Sequence, residues 1–357
     1  MPIRVSQRPT QRQIAAQVGV SVTTVSRILN PDEPHPERWA SQETIESIRK
    51  AAHTLGYRRN SLAVSLRTSR SQTVGVFLPS IGDYTLAAIF AGIDEVAREY
   101  GIMALTASTL DAPGLRSDRT LKMLDHLVDG IIFADAHLGE QYLSGAEAQR
   151  VPLVLVHRRH EEHVSVTADD VAAGRLAAEH LISLGRTRLA VIVGRRFMST
   201  GVDRATGFIQ AAEEAGLEKP VVYDHGFTVQ AGRDAALAML GRDNVPDGLF
   251  GMHDLCTLGA TSVLRQHGYA TGEDIAAVGS YDSPVAWACD LTSIGMGLHN
   301  MGRRSLELLL DRLGGKEITS ETLPVSLTVR ASSDPSLPRG DLTWGTIPGA
   351  TNGTNHN

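Results

Sequence analysis

Apolar residues near the start of the chain recur at intervals of three and four residues in two short segments, a spacing that predicts two α-helices. The segment TQRQIAAQVGVSVTTVSRILN (residues 10–30) has one apolar face made of Ile14, Ala15 and Val18, and a second made of Val20, Val25, Ile28 and Leu29. Gly19 separates the two faces and can adopt the positive φ that a sharp helix–helix turn requires. The pattern is that of a helix-turn-helix, with an ordinary helical hairpin as the alternative.

Polar residues at the expected helix ends support this prediction. Thr10 with Gln13 fits a capping box for the first helix, and Ser21 fits an N-cap for the second. The side chains that then point outward from the start of the second helix are Val22, Thr23 and Arg27. In a helix-turn-helix protein these positions meet base edges in the major groove.

A third helix is predicted downstream, which would complete a small all-α domain. Ser41 can cap it, Gly56 can end it, and its apolar face consists of Ile45, Ile48, Ala52 and Leu55. The connection from Pro31 to Ala40 is long and contains three prolines and Trp39. We interpret it as an extra surface loop and assign it no function from the sequence.

From Thr73 onward, short apolar strands alternate with amphipathic helices. The predicted strands are Val74–Leu78, Ile102–Ala107, Gly130–Ala134, Leu153–Val156, Leu189–Val193, Val221–Tyr223, Leu249–Gly251 and Ala276–Gly279. The predicted helices are Leu86–Tyr100, Ala172–Leu184, Arg204–Ala215, Gln230–Leu240, Thr257–His267 and Met301–Leu313. Repeated β–α units predict parallel sheets covered by helices, and their number predicts two lobes with a ligand site in the crevice between them.

Charge is distributed unevenly along the chain. Residues 1–70 carry 11 basic and 5 acidic side chains, whereas the remainder carries 23 and 35, so that a basic head precedes an acidic body. This asymmetry favours phosphate contacts by the head alone. The two cysteines, Cys256 and Cys289, indicate neither a disulfide framework nor a metal quartet. With no apolar leader or membrane-length run, we expect a soluble, cytoplasmic protein with no membrane partner.

Sequence signals for catalysis are absent. The segment His157–His163 is rich in histidine but lacks the HExxH spacing, and we interpret it as a solvated loop rather than a zinc site. Gly295-Met-Gly297 lacks the third glycine of a dinucleotide fingerprint. Neither a phosphate-binding GxxxxGK[ST] loop nor a GxSxG nucleophile elbow occurs. The sequence therefore predicts no catalytic site, no cofactor and no metal.

Taken together, the head, a short basic segment and the β–α body resemble the LacI/GalR family of bacterial transcriptional regulators. The motifs that carry the resemblance are IAAQVGVSVTTVSRILN, LGYRRNSLAVSLRT, VGVFLPS, LVDGIIF, GRLAAEHLISLGRTRLAVI and MGRRSLELLLDRL. It implies a headpiece at 1–58, a hinge helix at 59–71, and a type I periplasmic-binding-protein-like core at 72–334. Within the core, lobe 1 would span about 72–167 and 296–325, and lobe 2 about 168–295 and 326–334. A Gly-, Pro-, Thr- and Asn-rich tail at 335–357 is predicted to be disordered.

The resemblance also implies DNA contacts for individual residues. Val22, Thr23 and Arg27 would contact bases, and Thr10, Ser21, Thr24, Ser26 and Asn30 would contact phosphates. Arg27 is the strongest candidate base reader, because a guanidinium can bind guanine O6 and N7 in a bidentate manner. Leu66, with Ala63 on the same side, matches the hinge position that wedges into the minor groove. Packing between two hinge helices is the alternative role for Leu66.

For the effector site, the resemblance points to Ser80, Ile81, Asp83, Thr85, Leu86, His157, Arg204, His253, Tyr281, Asp282 and Met296. Arg204 matches an arginine that holds polar oxygens of the ligand. Several of the other positions depart from the sugar-binding pattern: His157 and Tyr281 each stand where Asp is common, His253 where Asn is common, and Met296 where Gln is frequent. Fewer carboxylates and amides favour an anionic or heteroaromatic ligand over a neutral sugar.

The function predicted from the sequence is that of a ligand-responsive transcriptional regulator. We expect a repressor that binds a near-palindromic double-stranded DNA operator as a homodimer or homotetramer, with a small-molecule effector, a sugar or another metabolite, in the cleft. Activation of transcription is the alternative within this class. A plain solute-binding protein is opposed by the basic head, and a sugar-modifying enzyme is opposed by the missing catalytic motifs.

Overall fold

The computed structural model describes residues 9–30, 33–57, 70–125, 128–139, 151–242 and 245–337. They belong to two compact units, residues 1–71 and 72–357. The first unit contains helices α1 (Gln11–Val18), α2 (Val22–Ile28) and α3 (Gln42–Thr54), with a short 3-10 helix at Pro36–Arg38. The predicted hinge at 59–71, with Ala63 and Leu66, lies almost wholly outside the described residues, as does most of the predicted tail.

Local sequence signals account for the helical unit. Thr10 and Gln13 form a complete capping box at the start of α1, and the Ser21 hydroxyl accepts a hydrogen bond from the Thr24 amide at the start of α2. Gly19 lies between the helices with φ of 79°. The apolar faces of the three helices meet in one core, in which Ile14, Val25, Ile28, Ile45 and Ile48 are buried. The predicted helix-turn-helix geometry is confirmed.

The first sheet of the second unit contains β1 (Thr73–Leu78), β2 (Met103–Ser108), β3 (Gly130–Phe133), β4 (Leu153–Val156), β5 (Ser165–Ala168) and β11 (Glu321–Leu323). The strand order is β11-β5-β4-β3-β1-β2, and all neighbouring strands are parallel. The helices that accompany this sheet are α4 (Tyr84–Glu99), α5 (Pro113–Asp125) and α11 (Leu298–Leu313). We call this sheet with these helices the first lobe.

The second sheet contains β6 (Leu189–Val193), β7 (Val221–Asp224), β8 (Gly248–Gly251), β9 (Ala276–Ser280), β10 (Thr292–Gly295) and β12 (Ser326–Thr328). The strand order is β12-β10-β9-β8-β6-β7, and among these described strands only β12 runs antiparallel to its neighbour. The associated helices are α6 (Asp170–Ser183), α7 (Ser199–Glu214), α8 (Val229–Leu240), α9 (Asp254–Gln266) and α10 (Pro284–Ala288). We call this sheet with these helices the second lobe.

The prediction of two parallel sheets covered by helices is confirmed. The structure adds elements that the apolar pattern did not indicate: β5, β10, β11, β12, α5 and α10. Among the described residues, no helix combines the length and apolar character needed to cross a membrane.

Glycines bring α6 and α7 into backbone contact in the second lobe. A Cβ atom built at Gly174 would overlap the Arg204 carbonyl oxygen, and one built at Gly207 would overlap the Val171 carbonyl oxygen. Both positions therefore require glycine because of close approach rather than because of φ. This packing fixes the position of Arg204, which lies on α7.

Candidate nucleic-acid interface and interlobe cleft

Helix α2 presents one polar and one apolar face. Val25 and Ile28 are buried, whereas Val22, Thr23, Ser26 and Arg27 are exposed. Because residues separated by four positions share a face of a helix, the exposed set forms one continuous surface. The structure thus brings together the three side chains predicted to contact bases, with the predicted phosphate contact Ser26 beside them.

The other predicted phosphate contacts lie at helix ends, where they have structural roles in the free protein. The Thr10 and Ser21 hydroxyls cap α1 and α2, and the Thr24 hydroxyl lies 2.9 Å from that of Ser21. The side-chain oxygen of Asn30 is buried and has no hydrogen-bond partner among the residues that the structure describes. A capping hydroxyl that accepts from the backbone can still donate its proton, so capping does not exclude a phosphate contact.

Arg27 has two neighbours that the sequence did not indicate. Its guanidinium carbon lies 4.4 Å from the centroid of the Trp39 ring, and one of its nitrogens lies 3.8 Å from a carboxylate oxygen of Glu33. Both neighbours belong to the long connection between α2 and α3. In the sequence, this contact was indicated only by two features of that connection, its unusual length and its tryptophan.

In the second unit, residues at the ends of strands and helices of the two lobes meet. From the first lobe come Thr85, in the first turn of α4, and His157, directly after β4; from the second come His253, the N-cap of α9, and Tyr281, directly after β9. The Thr85 hydroxyl lies 3.3 Å from His253 Nε2, and the Tyr281 hydroxyl lies 3.4 Å from His157 Nε2. Asp83 adds a carboxylate oxygen 3.7 Å from His253 Nε2. We call this set of contacts the cleft cluster.

Arg204 lies beneath this cluster and is only 1 % exposed. Its Nε donates to Asp170 at 2.7 Å, and its Nη1 donates to the Met252 carbonyl at 3.0 Å. Its guanidinium carbon lies 4.7 Å from the centroid of the Tyr281 ring. Among the described residues, Nη2 is buried and makes no hydrogen bond of ordinary geometry, although the Tyr281 hydroxyl lies near the guanidinium. A buried donor that lacks an acceptor costs about 1–3 kcal/mol.

Burial and nearby charges keep two residues of the cleft cluster, His157 and Tyr281, uncharged. Burial, together with the nearby charges of Arg204 and Arg158, lowers the pKa of His157 to about 3, and burial raises the pKa of Tyr281 to about 12. Burial also raises the pKa of Asp170 to about 6, a rise that the Arg204 charge opposes. At neutral pH, therefore, His157 is an uncharged imidazole and Tyr281 an uncharged phenol.

Two residues of the cleft cluster have left-handed backbone conformations, with φ of 71° at His157 and 94° at Tyr281. Such conformations are uncommon for residues other than glycine and cost about 1–3 kcal/mol each when the residue is held there. Strain of this kind is concentrated at binding sites in proteins. It supports a functional role for the turns that follow β4 and β9.

Other predicted effector residues are placed elsewhere. Asp282 pairs with Arg330 at 2.6 Å and accepts from the Thr328 hydroxyl, so its carboxylate is engaged within the second lobe. Leu86 and Met296 are buried in the hydrophobic core. Ser80 and Ile81 are exposed in the turn before α4. The structure therefore brings together Asp83, Thr85, His157, Arg204, His253 and Tyr281.

An acidic partner that the sequence did not single out is Asp170. It had no motif to mark it, because its role depends on the packing of α6 against α7. Asp254, which follows His253, accepts from the Ser283 amide and the Ser293 hydroxyl and thereby joins α9 to the turn after β9 and to β10.

A helix-turn-helix unit and a two-lobed α/β unit with a polar cluster between its lobes define a DNA-binding regulator with a ligand-binding core. The profile of the bacterial regulatory proteins of the lacI family matches residues 10–60, and that of a periplasmic binding protein-like domain matches residues 178–333. The transcriptional regulator CelR of Thermobifida fusca is 32 % identical over 341 residues, which cover 91 % of this chain and 98 % of CelR. The chain belongs to the LacI family of helix-turn-helix transcriptional regulators.

Further relatives and structures agree with this membership. The regulator MalR of Streptomyces coelicolor is 31 % identical over 317 residues, covering 85 % of this chain and 89 % of MalR. A structure of the CelR–cellobiose complex has a TM-score of 0.69 at 30 % identity and covers 91 % of this chain and 100 % of that one. The lac repressor dimer bound to operator and an anti-inducer has a TM-score of 0.84 at 23 % identity, covers 92 % of this chain and 100 % of that one, and shows the common fold. The matched relatives are transcriptional regulators, so the prediction that the chain is not an enzyme is confirmed.

Proposed function

We propose that this chain is an effector-responsive repressor that binds a near-palindromic operator as a dimer, with its effector in the interlobe cleft. The observation that carries the proposal is the cleft cluster, because residues of both lobes meet there and one of them, Tyr281, contacts the buried Arg204 guanidinium. A ligand that offers an acceptor to Nη2 would bind one arrangement of the lobes more tightly than another. The ligand would thereby shift the population of the two arrangements and with it the affinity for DNA.

For operator binding, the proposal assigns base contacts to Val22, Thr23 and Arg27 of α2. Their exposure on one helix face supports this assignment. Arg27 would carry most of the sequence preference through a bidentate contact with guanine, whereas Thr23 and Val22 would contribute a hydroxyl and apolar contact. The predicted hinge contacts of Ala63 and Leu66 in the minor groove are part of the same proposal.

For the effector, the proposal is an anionic or heteroaromatic molecule. The uncharged His157 imidazole, the His253 imidazole and the Tyr281 phenol offer rings for stacking and single hydrogen bonds, and Arg204 offers one buried donor. The CelR–cellobiose complex makes a neutral disaccharide the second candidate, since CelR is similar to this chain over most of its length.

The test begins with a thermal-shift screen of metabolites on the full-length protein. Hits, a sugar acid and cellobiose are then titrated by calorimetry and retested for their effect on operator affinity by fluorescence anisotropy at fixed salt. We expect a hit that bears a carboxylate or a heteroaromatic ring to change operator affinity by at least about fivefold, a typical allosteric coupling. Tight binding of cellobiose with the same effect would overturn the effector class. A protein that binds operator only as a monomer would overturn the dimer.

A further inference from the structure

The connection between β4 and β5 gathers metal-binding side chains in a tight turn. His160 and His163 are paired in an isolated antiparallel β-bridge, and the His163 amide donates to the His160 carbonyl at 3.3 Å. Their ring centroids are 5.4 Å apart with an interplanar angle of 32°. The turn therefore places the two imidazoles side by side on the same side of the chain, with Glu161 and Glu162 between them in sequence.

Glu162 supplies a third donor to this group. One ligand atom from each of His160, Glu162 and His163 lies within 4.8 Å of the others. Both histidines are half-buried and the glutamate is exposed, so an ion from solvent can reach the group while the imidazoles are held by the turn. The Glu162 amide also lies 3.4 Å from His160 Nδ1, which ties the ring of His160 to the backbone of the turn.

We propose that His160, Glu162 and His163 bind a divalent transition-metal ion, with Zn²⁺ as the first candidate. Two imidazoles and one carboxylate are ligands that Zn²⁺ commonly accepts, whereas Mg²⁺ and Ca²⁺ prefer sites made of oxygen alone. With metal–ligand distances of about 2.0–2.2 Å, tetrahedral ligand atoms are roughly 3.4 Å apart. The group therefore has to close by at most about 1.4 Å from the 4.8 Å limit, a movement that side-chain rotation can supply.

Three protein ligands leave a fourth coordination position open to water or to an anion. The site is thus unlike a structural zinc site, which uses four protein ligands and is needed for folding. The protein is expected to fold without the ion and to bind it reversibly.

The position of the turn gives metal binding a consequence for the lobes. The Arg159 amide donates to the Ser199 hydroxyl at 3.0 Å, and the Arg159 guanidinium binds both carboxylate oxygens of Asp203 at 2.8 and 2.9 Å. Ser199 and Asp203 belong to α7 of the second lobe, the helix that carries Arg204. A metal ion that orders the turn would strengthen a contact between the lobes, so ion and effector binding should be coupled.

The site is tested by isothermal titration of the metal-free, full-length protein with Zn²⁺. The parallel variants are His163→Ala, Glu162→Gln and, as a matched control, His225→Ala, which removes an exposed histidine from the second lobe. We expect one site per chain, an affinity loss of at least about tenfold for each of the first two variants, and no change for His225→Ala. Circular dichroism spectra of all variants serve to check that each is folded.

A second readout keeps the test independent of heat signals. Co²⁺ bound in a tetrahedral site absorbs visible light strongly, and this absorption should appear with the wild-type chain and disappear with His163→Ala. Equal affinities and stoichiometries for Zn²⁺ in the wild-type chain and His163→Ala would overturn the site. Mg²⁺ binding at the same stoichiometry as Zn²⁺ would overturn the metal class.

Discussion

The contact between Arg27 and Trp39 leads to a prediction about operator recognition. Both side chains are about half exposed, and the guanidinium lies 4.4 Å from the ring centroid. Stacking uses the face of the guanidinium and leaves its N–H edges available for a guanine. We therefore expect Trp39 to position Arg27 for the proposed contact in the major groove and to reduce the side-chain entropy that Arg27 loses on binding. Trp39→Ala should remove this advantage.

The size of the effect follows from the exposure of the pair. An exposed cation–π contact is worth about 0.5–1 kcal/mol, so Trp39→Ala should weaken operator binding about two- to fivefold. Arg27→Ala should cost about 1–3 kcal/mol, roughly 5- to 150-fold, and should relax the preference at one base pair of each half-site. In the Arg27→Ala background, Trp39→Ala should cost almost nothing, since the group that it positions is absent.

The assay is an equilibrium titration of a labelled operator, monitored by fluorescence anisotropy at a fixed salt concentration, with the four proteins of the double-mutant cycle. Trp287→Ala is the matched control, because Trp287 is 41 % exposed, much like Trp39 at 42 %, and lies in the second lobe. An equal cost of Trp39→Ala with and without Arg27 would refute the positioning role. Tighter binding by Trp39→Ala would show instead that the stack must break before Arg27 can reach DNA.

Arg204→Met should lower the free energy of unfolding by about 3–5 kcal/mol, because it leaves the Asp170 carboxylate buried without its partner. Adding Asp170→Asn should recover most of that loss in urea denaturation, and equal losses in the single and double variants would contradict the pairing. Gly174→Ala should cost about 1–3 kcal/mol because its methyl group overlaps the backbone of α7, and an unchanged Tm would count against the close approach. Since the pKa of His157 is lowered to about 3, the unfolded chain takes up a proton at this residue first as the pH falls below about 6.5. The folded state should then lose up to about 1.4 kcal/mol per pH unit relative to His157→Gln, and parallel stability–pH curves would exclude this role. Leu66→Ala should reduce operator bending in a circular-permutation gel assay, and an unchanged bend angle would contradict the wedge.

The helix-turn-helix unit could be predicted from the sequence because the signals that define it are local. A capping box, a left-handed glycine and helical apolar spacing each involve residues within four positions of one another, as at Thr10, Gly19 and Ser21. The strands that escaped prediction are three or four residues long and partly polar, such as Ser165–Ala168 and Ser326–Thr328. Such segments are strands because of their neighbours in the sheet, and pattern alone does not identify them.

The cleft cluster could be predicted only as a set of candidates. Thr85 and His253 are separated by 168 positions in the sequence, so their contact depends on how the two lobes meet. The same holds for Asp282, which the resemblance included among the candidate effector residues but which pairs with Arg330 in the structure. The residue type at a position is visible in the sequence, whereas the partner that engages it is set by the packing of distant strands.

If the effector binds in the cleft as proposed, the contacts around Tyr281 restrict the kind of molecule that can bind there. When a ligand displaces Tyr281, the protein loses two contacts of that residue. These are the hydrogen bond between Tyr281 and His157, worth about 1 kcal/mol, and the contact between the Tyr281 ring and the Arg204 guanidinium, worth about 2 kcal/mol when desolvated. Relief of the left-handed backbone at Tyr281 offsets about 1–3 kcal/mol of this loss, so displacement alone costs about 0–2 kcal/mol. The net gain must then come from Nη2 of Arg204, whose unmet hydrogen bond costs about 1–3 kcal/mol. An effector without an acceptor for that nitrogen has little to gain from the cleft, however well its ring replaces the phenol.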